Sequence, residues 1–162
     1  MDVYLAIASK RDQRHYADMP VPEDLARRIL DAGRLSGNSG NKQVWEFVVV
    51  GEHARQALAE AVYAPDNVRG AHYVVAICGD VRPIDVGRAL QNMMLCAWEQ
   101  GVTSCPNGIR DREAAERVCG AEVKMVISFG YPEPPRSAGA HTAEEWSARI
   151  NRKPLDELVR QV

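Results

Sequence analysis

No stretch of this chain approaches the ~20 consecutive apolar residues that a membrane-spanning helix requires. Charge of one sign is missing too. Twenty Lys and Arg stand against 22 Asp and Glu, a net charge of −2. That balance gives no electrostatic reason to expect nucleic acid or an anionic membrane as partner. Cysteine is scarce, and Cys78, Cys96, Cys105 and Cys119 form no CxxC pair and no regular spacing. A disulfide framework and a cysteine-rich zinc site are thereby disfavoured, and reduced, mostly structural thiols are expected. The opening Met1-Asp2-Val3-Tyr4 lacks the basic-then-apolar pattern of a secretory signal. A cytoplasmic protein is expected. Several motifs are missing as well: no GxGxxG after a strand, no GxxxxGK[ST], no HExxH and no GxSxG. Classical dinucleotide domains, nucleotide triphosphatases, zinc hydrolases and elbow-type serine hydrolases are disfavoured with them.

What is present reads as one globular domain over residues 1–162. Hydrophobic residues make up 46% and charged residues 26%, an ordinary balance for a folded chain. No repeat, low-complexity segment or Gly/Ser linker divides it. Asp2 can cap a short helix with Val3, Ala6 and Ile7 on one face. Pro22 opens a second helix, with Leu25, Ile29 and Ala32 in register, ending near Leu35. Trp45 to Val50 reads as a strand, His53 to Val62 as a helix, and Ala64-Pro65-Asp66-Asn67 as a turn. Tyr73 to Cys78 reads as a buried strand. The longest helix carries Val86, Leu90, Met93 and Ala97 as one stripe, with Asp85 as N-cap and Gly101 as stop. Val102 to Arg110 reads as a loop, Asp111 as the cap of a short helix, and Val123 to Phe129 as the last strand. A proline-rich stretch then leads to a short helix near Glu144 and a basic tail. Alternation of helix and strand, taken alone, suggests an α/β arrangement with a parallel sheet.

Three segments could carry chemistry. Lys10, Arg11 and Arg14 concentrate positive charge at the end of the first helix, where arginine forks and a lysine charge suit a phosphate. A solvated basic face would have the same sequence. Ser36 to Gln43 is rich in small residues and amides, which lets backbone N–H groups approach a planar ligand. A helix end followed by a polar turn would look alike. Gly101 to Gly108 follows the long helix, in a position suited to ligand contact. Within it, Cys105 has no histidine nearby in sequence. His15, His53, His72 and His141 make no motif with it, so a nucleophilic role is not expected.

Taken in order, these segments resemble the nitroreductase family. Lys10-Arg11-Asp12-Gln13-Arg14, with Tyr16 after it, is similar to the family's opening R-R-S-x-R pattern and following aromatic. Gly37-Asn38-Ser39-Gly40-Asn41-Lys42-Gln43-Val44-Trp45 is similar to its Pro-Ser-small-x-Asn-x-Gln-Pro-Trp loop before a strand. The long helix, Gly101 to Gly108, Gly130-Tyr131-Pro132 and Arg152-Lys153-Pro154-Leu155 resemble the later motifs.

The resemblance implies an α+β fold with a mainly antiparallel central sheet flanked by helices, assembled as an intertwined homodimer with FMN at the interface. By position, Lys10, Arg11, Arg14, Arg152 and Lys153 would hold the phosphate and ribityl chain. Asn38, Ser39 and Asn41 would reach the flavin of the other subunit, with Gln43 supporting the loop, and Pro106, Asn107 and Gly108 would line the ring. No side chain of the protein need be catalytic, because the flavin carries the chemistry. The implied activity is NAD(P)H oxidation by an FMN-dependent oxidoreductase, with NADH or NADPH as reductant and ping-pong transfer to a small acceptor such as a nitroaromatic or quinone. The alternative is an FMN-binding carrier, sensor or partner protein without reductase turnover. A third reading is a small α+β interaction domain that binds no flavin.

The chain departs from the family pattern in four places. Asp12 stands where a serine is usual, and Asn38 and Val44 replace a serine and a proline. Val62 to Ala71 is too short for the helical insertion that often covers the substrate. The basic tail ends at Val162 without the arm that commonly wraps the partner. An open site and a lean dimer interface are the expectation.

Overall fold

Helix and strand alternate along the chain, yet no two neighbouring strands of its sheet run parallel. The computed structural model describes residues 1–162. Helices α1 (Val3–Ser9) and α2 (Glu23–Arg34) precede strand β1 (Glu46–Val49). Helices α3 (Glu52–Glu60) and α4 (Pro65–Arg69) lead to β2 (Tyr73–Cys78), and α5 (Pro83–Glu99) leads to β3 (Thr103–Asn107). Helix α6 (Arg112–Cys119) leads to β4 (Val123–Gly130), and α7 (Ala143–Ala148) follows. The sheet order is β1-β2-β4-β3, antiparallel at every pairing. The fold is therefore α+β, and the parallel sheet suggested by alternation alone is corrected. Because β2 and β3 both run antiparallel to β4, they are parallel to each other and joined across by α5. Strand β4 enters between them, so a crossover unit exists but its two strands never touch.

Strand β2 is buried at all six positions, and its pleat feeds two cores. Tyr73, Val75 and Ile77 meet Ile29 of α2 and Met93 and Ala97 of α5. Val74, Ala76 and Cys78 meet Leu58 of α3, Val68 of α4 and Ala115 of α6. Full burial of each large aliphatic side chain contributes roughly 1.5–3 kcal/mol. Helices α2 and α5 approach closely at Gly33, where a Cβ would stand 2.9 Å from the Met93 sulfur.

The caps agree with the sequence at two of three positions. The Asp2 side chain accepts from Leu5 N–H at 3.1 Å and that of Asp111 from Ala114 N–H at 2.9 Å. Asp85 is not the N-cap of α5: Arg82 is, Pro83 opens the helix, and Asp85 lies buried in the first turn, where the helix dipole favours its charge. Two further readings are corrected. The stretch read as a loop after α5 contains β3, and the turn at Ala64–Asn67 leads into a helix with Pro65 in its first turn. On α1 the buried residues are Ala6, Ala8 and Ser9, while Val3 and Ile7 are 69% and 53% exposed. No helix is long and apolar enough to cross a membrane.

Candidate functional site

The C-terminus of α1, α7 and the tail beyond it enclose a cavity of about 420 Å³, whose walls include Lys10, Arg11 and Arg152 over an apolar floor of Ile7 and Ile150. Arg11 is fixed from three sides. Its Nη1 donates to the carbonyls of Ala8 and Lys10, both at 2.7 Å, and its Nη2 to that of Trp146 at 3.2 Å. Its guanidinium lies 5.4 Å from the centre of the Trp146 ring, a cation–π arrangement. Burial, then the nearby charges of Arg152 and Arg136, make the Arg11 proton easier to lose than usual. Like charges thus face one another across the cavity, and a bound anion would relieve that repulsion.

Lys10 is nearly buried, with its side chain 8% exposed, and its ammonium pairs with the Asp12 carboxylate. It also lies 3.3 Å from the Met94 sulfur. Asp12 is turned toward Lys10, so the departure from serine neutralises part of the cluster. Arg14 is exposed and stands beside the Cys105 thiol. Lys153 is exposed and outside the cavity wall.

The basic segment is stitched to β3. Asp12 bridges Ser104, Gln13 N–H donates to the Ser104 carbonyl at 3.4 Å, and the Thr103 hydroxyl donates to the Arg11 carbonyl at 3.4 Å. Strand β3 is an edge of the sheet, which is where a strand tolerates Pro106. Cavity and strand are thus linked through residues 11–13, and Gly108 follows directly after the last residue of the strand.

Behind that strand lies a buried amide and hydroxyl network. Asn107 Nδ2 donates to the Cys105 carbonyl at 2.9 Å and to Ser128 Oγ at 3.1 Å. Its Oδ1 accepts from Asn67 Nδ2 at 3.1 Å, and Ser128 Oγ shares a 2.8 Å bond with the Tyr16 hydroxyl. Burial pushes the Tyr16 phenol far up. The Asn107 side chain is therefore committed to the interior, leaving Pro106 and Gly108 as the accessible members of their motif. Asn67 and Ser128 were not foreseen, and no spacing in the sequence marks them. Cys105 is buried, and burial pushes its thiol up.

The polar loop sits elsewhere. Ser39–Asn41 form a 3₁₀ turn, and Asn38 Oδ1 accepts from Gln43 N–H at 2.9 Å. Gln43 Nε2 donates to the Asn41 carbonyl at 3.4 Å. Asn41 and Gln43 have φ of 52° and 51°, a region non-glycine residues rarely enter. The loop is anchored to α5 through Asn92 Nδ2, which donates to Ser36 Oγ at 2.7 Å. Gln43 lines a second cavity of about 780 Å³ with Arg27, Arg34, Trp45 and Phe47. Within one chain, Asn38, Ser39, Asn41 and Gln43 are absent from the wall of the Lys10–Arg11–Arg152 cavity.

Comparison with known proteins follows this geometry. A protein of Methanothermobacter thermautotrophicus, named for NADH dehydrogenase and NAD(P)H nitroreductase activity, is 30% identical over 149 residues, covering 82% of this chain and 78% of its own. A similarly named protein of Archaeoglobus fulgidus is 28% identical over 145 residues, covering 78% and 83%. A nitroreductase family protein of Clostridium difficile has the same fold, with a TM-score of 0.80, 23% identity and coverage of 99% and 98%. So does a Desulfovibrio desulfuricans protein described as a nitroreductase in complex with FMN, with a TM-score of 0.78, 23% identity and coverage of 100% and 98%. The pattern of the nitroreductase family matches residues 7–80 and 66–131, most of the chain, from the first basic segment to the end of β4, and the chain belongs to the nitroreductase family.

Proposed function

We propose that the protein is an FMN-dependent NAD(P)H oxidoreductase of nitroreductase type, a single domain that works as a homodimer and passes electrons to a small acceptor such as a nitroaromatic or quinone. The observation that carries the reading is the convergence of Arg11, Arg152 and Lys10 on one cavity beside an edge strand. Its donor set fits the phosphate end of FMN: the Arg11 guanidinium, held in place by backbone carbonyls, faces the unpaired guanidinium of Arg152 across the cavity. The FMN-bound relative and the NAD(P)H named for two others support the cofactor and reductant.

FMN, when bound, would take a hydride from the nicotinamide and give electrons to the acceptor. This chain's part is to bind and orient. Arg11, already held by the carbonyls of Ala8, Lys10 and Trp146, would meet the phosphate with little ordering left to do. Arg152 adds a second fork, Arg14 extends positive charge toward β3, and Lys153 adds charge from the tail. Pro106 and Gly108 present the strand edge along which the ring would lie, and Asn107 keeps that strand from shifting. Asn38, Ser39 and Asn41, with Gln43 as support, would reach the flavin of the partner subunit. Exposed Val3, Tyr4 and Ile7 on α1 and Leu155, Leu158 and Val159 on the tail support a self-associating surface. Between Val62 and Ala71 the only element is the five-residue α4, so no long insertion covers the site.

The absorbance spectrum of the purified protein, recorded before and after anaerobic NADH or NADPH, tests the proposal. A flavin band that bleaches is the expected outcome. A band that persists would favour an FMN carrier or sensor, and failure to take up added FMN would reject the cofactor.

A further inference from the structure

Resting on the reading in which Pro106 and Gly108 border the flavin ring, we infer that the exposed ring of Tyr63 is a stacking wall for a planar aromatic electron acceptor, favouring ring substrates over ringless ones. Tyr63 is 73% exposed, more than any other Trp, Tyr or Phe of the chain. A lone exposed aromatic is ordinary on a protein surface. Two observations set this one apart. Its ring lies against Gly108, and its backbone is fastened to the end of β3.

The chain leaving α3 runs antiparallel to the residues that follow β3. The Ala61 carbonyl accepts from Arg110 N–H at 2.8 Å and from Asp111 N–H at 3.0 Å. Val62 bridges Ile109, and Tyr63 N–H donates to the Gly108 carbonyl at 3.0 Å. Val62 is fully buried in the core that holds Leu58 and Val68, so the alternation of an extended chain turns Tyr63 outward. The phenol ring then lies over Gly108, where a Cβ would stand 3.2 Å from Tyr63 Cδ2. A glycine at that position lets the ring sit close against the backbone. Beyond Tyr63 the chain returns to the same strand, because Asn67 Nδ2 donates to Asn107 Oδ1 at 3.1 Å. The segment carrying Tyr63 is therefore tied to the strand end on both sides.

A tyrosine side chain has few torsions, and its backbone here is already fixed, so little ordering remains to oppose stacking. The electron-rich face of a phenol suits the electron-poor ring of a nitroaromatic or quinone. A ringless acceptor such as ferricyanide gains nothing from that contact. The dihydronicotinamide ring of the reductant is electron-rich and not aromatic, so it gains less. Tyr63 thus discriminates among acceptors by binding them, and it touches no group that the fold needs buried.

The test compares the FMN-loaded wild type with Tyr63→Ala and Tyr63→Phe. Because the side chain is exposed, Tyr63→Ala should melt within about 2 °C of wild type. 4-Nitrobenzoate is titrated into the oxidised proteins, where no electrons flow, and its binding is followed by perturbation of the flavin band. Its dissociation constant should rise roughly 3- to 10-fold in Tyr63→Ala and return close to the wild-type value in Tyr63→Phe. In steady-state assays the KM for 4-nitrobenzoate should rise by the same factor in Tyr63→Ala, with kcat affected less. The KM for ferricyanide should change less than that for 4-nitrobenzoate. A Tyr63→Ala protein that takes up FMN and binds 4-nitrobenzoate as wild type does, or that loses both acceptors equally, would overturn the inference and leave the flavin reading standing. Wild-type protein that takes up no FMN would overturn both.

Discussion

Arg11→Ala and Arg152→Ala remove charge from the same cavity but should be told apart by their effect on the empty protein. Arg11 makes three hydrogen bonds to backbone carbonyls and lies over the Trp146 ring. Two of those bonds are local to the end of α1, and the third ties α1 to α7. Net values of about 0.5–1 kcal/mol for each partly solvated bond, with about 0.5–1 kcal/mol for the cation–π contact, sum to roughly 2–4 kcal/mol. For a domain of this size, at about 2–4 °C per kcal/mol, that lowers the melting temperature by roughly 4–16 °C. Removing Arg11 also relieves repulsion from Arg152 and Arg136, which places the expected fall in the lower half of that range. Arg152 is exposed and makes no hydrogen bond within the chain, so its loss should move melting by less than about 2 °C. FMN binding should respond to both. A charge-assisted contact to phosphate contributes about 1.5–3 kcal/mol, so each variant should weaken the dissociation constant roughly 10- to 150-fold. Flavin fluorescence titration at low salt and at about 0.5 M salt gives the affinities, with the difference from wild type shrinking at high salt. Thermal denaturation followed by circular dichroism gives the stabilities. An Arg152→Ala protein with wild-type affinity at low salt would refute the phosphate assignment, and an Arg11→Ala protein with unchanged melting would refute the clamp on α7.

Asn107→Ala should destabilise the protein by about 2–3 kcal/mol, because it leaves buried groups of Asn67 and Ser128 short of a partner. A melting temperature within about 2 °C of wild type would show that the network does not hold β3. Asp12→Ser releases Lys10 from its ion pair, so FMN should bind more tightly, roughly 3- to 10-fold at low salt, while melting falls as a nearly buried ammonium loses its partner. Unchanged affinity would mean that the Asp12 charge is not felt at the phosphate position. Burial pushes the Tyr73 phenol up to about 12. The folded protein thus keeps a proton that the unfolded chain releases near pH 10, and the stability this represents is whole below pH 10 and lost as pH rises toward about 12. Denaturant midpoints measured across that window should fall with pH, and should fall less steeply in Tyr73→Phe. Equal slopes for the two proteins would contradict the assignment.

What could be read in advance was what the chain repeats. Tyr73 to Cys78 reads as a strand because six apolar positions leave no other use for it, and α5 reads as a helix from the recurrence of Val86, Met93 and Ala97. Strand β3 has no such pattern. Pro106, Asn107 and Gly108 read as turn chemistry, and only the edge position, with residues 11–13 lying along it, makes a strand of them. Helix α1 shows the opposite error. Val3 and Ile7 have the spacing of a core stripe, but that face is left exposed, and the helix is instead held by Ala6, Ala8 and a 2.8 Å bond from Trp98 Nε1 to Ser9 Oγ. The candidate site divides along the same line. That Lys10, Arg11 and Arg152 belong together was legible from the order of motifs, because a family pattern records pairings that periodicity cannot. Which charges are available was not. Lys10 is committed to Asp12, and Asn107 to Asn67 and Ser128, through contacts between residues that share no spacing. A motif therefore names positions, whereas the hydrogen-bond partners each position already has decide whether its side chain is free to meet a ligand. On that criterion Arg152 has its donors to spare, Arg11 has given three of its N–H donors to backbone carbonyls and keeps the rest, and Asn107 has none left to give.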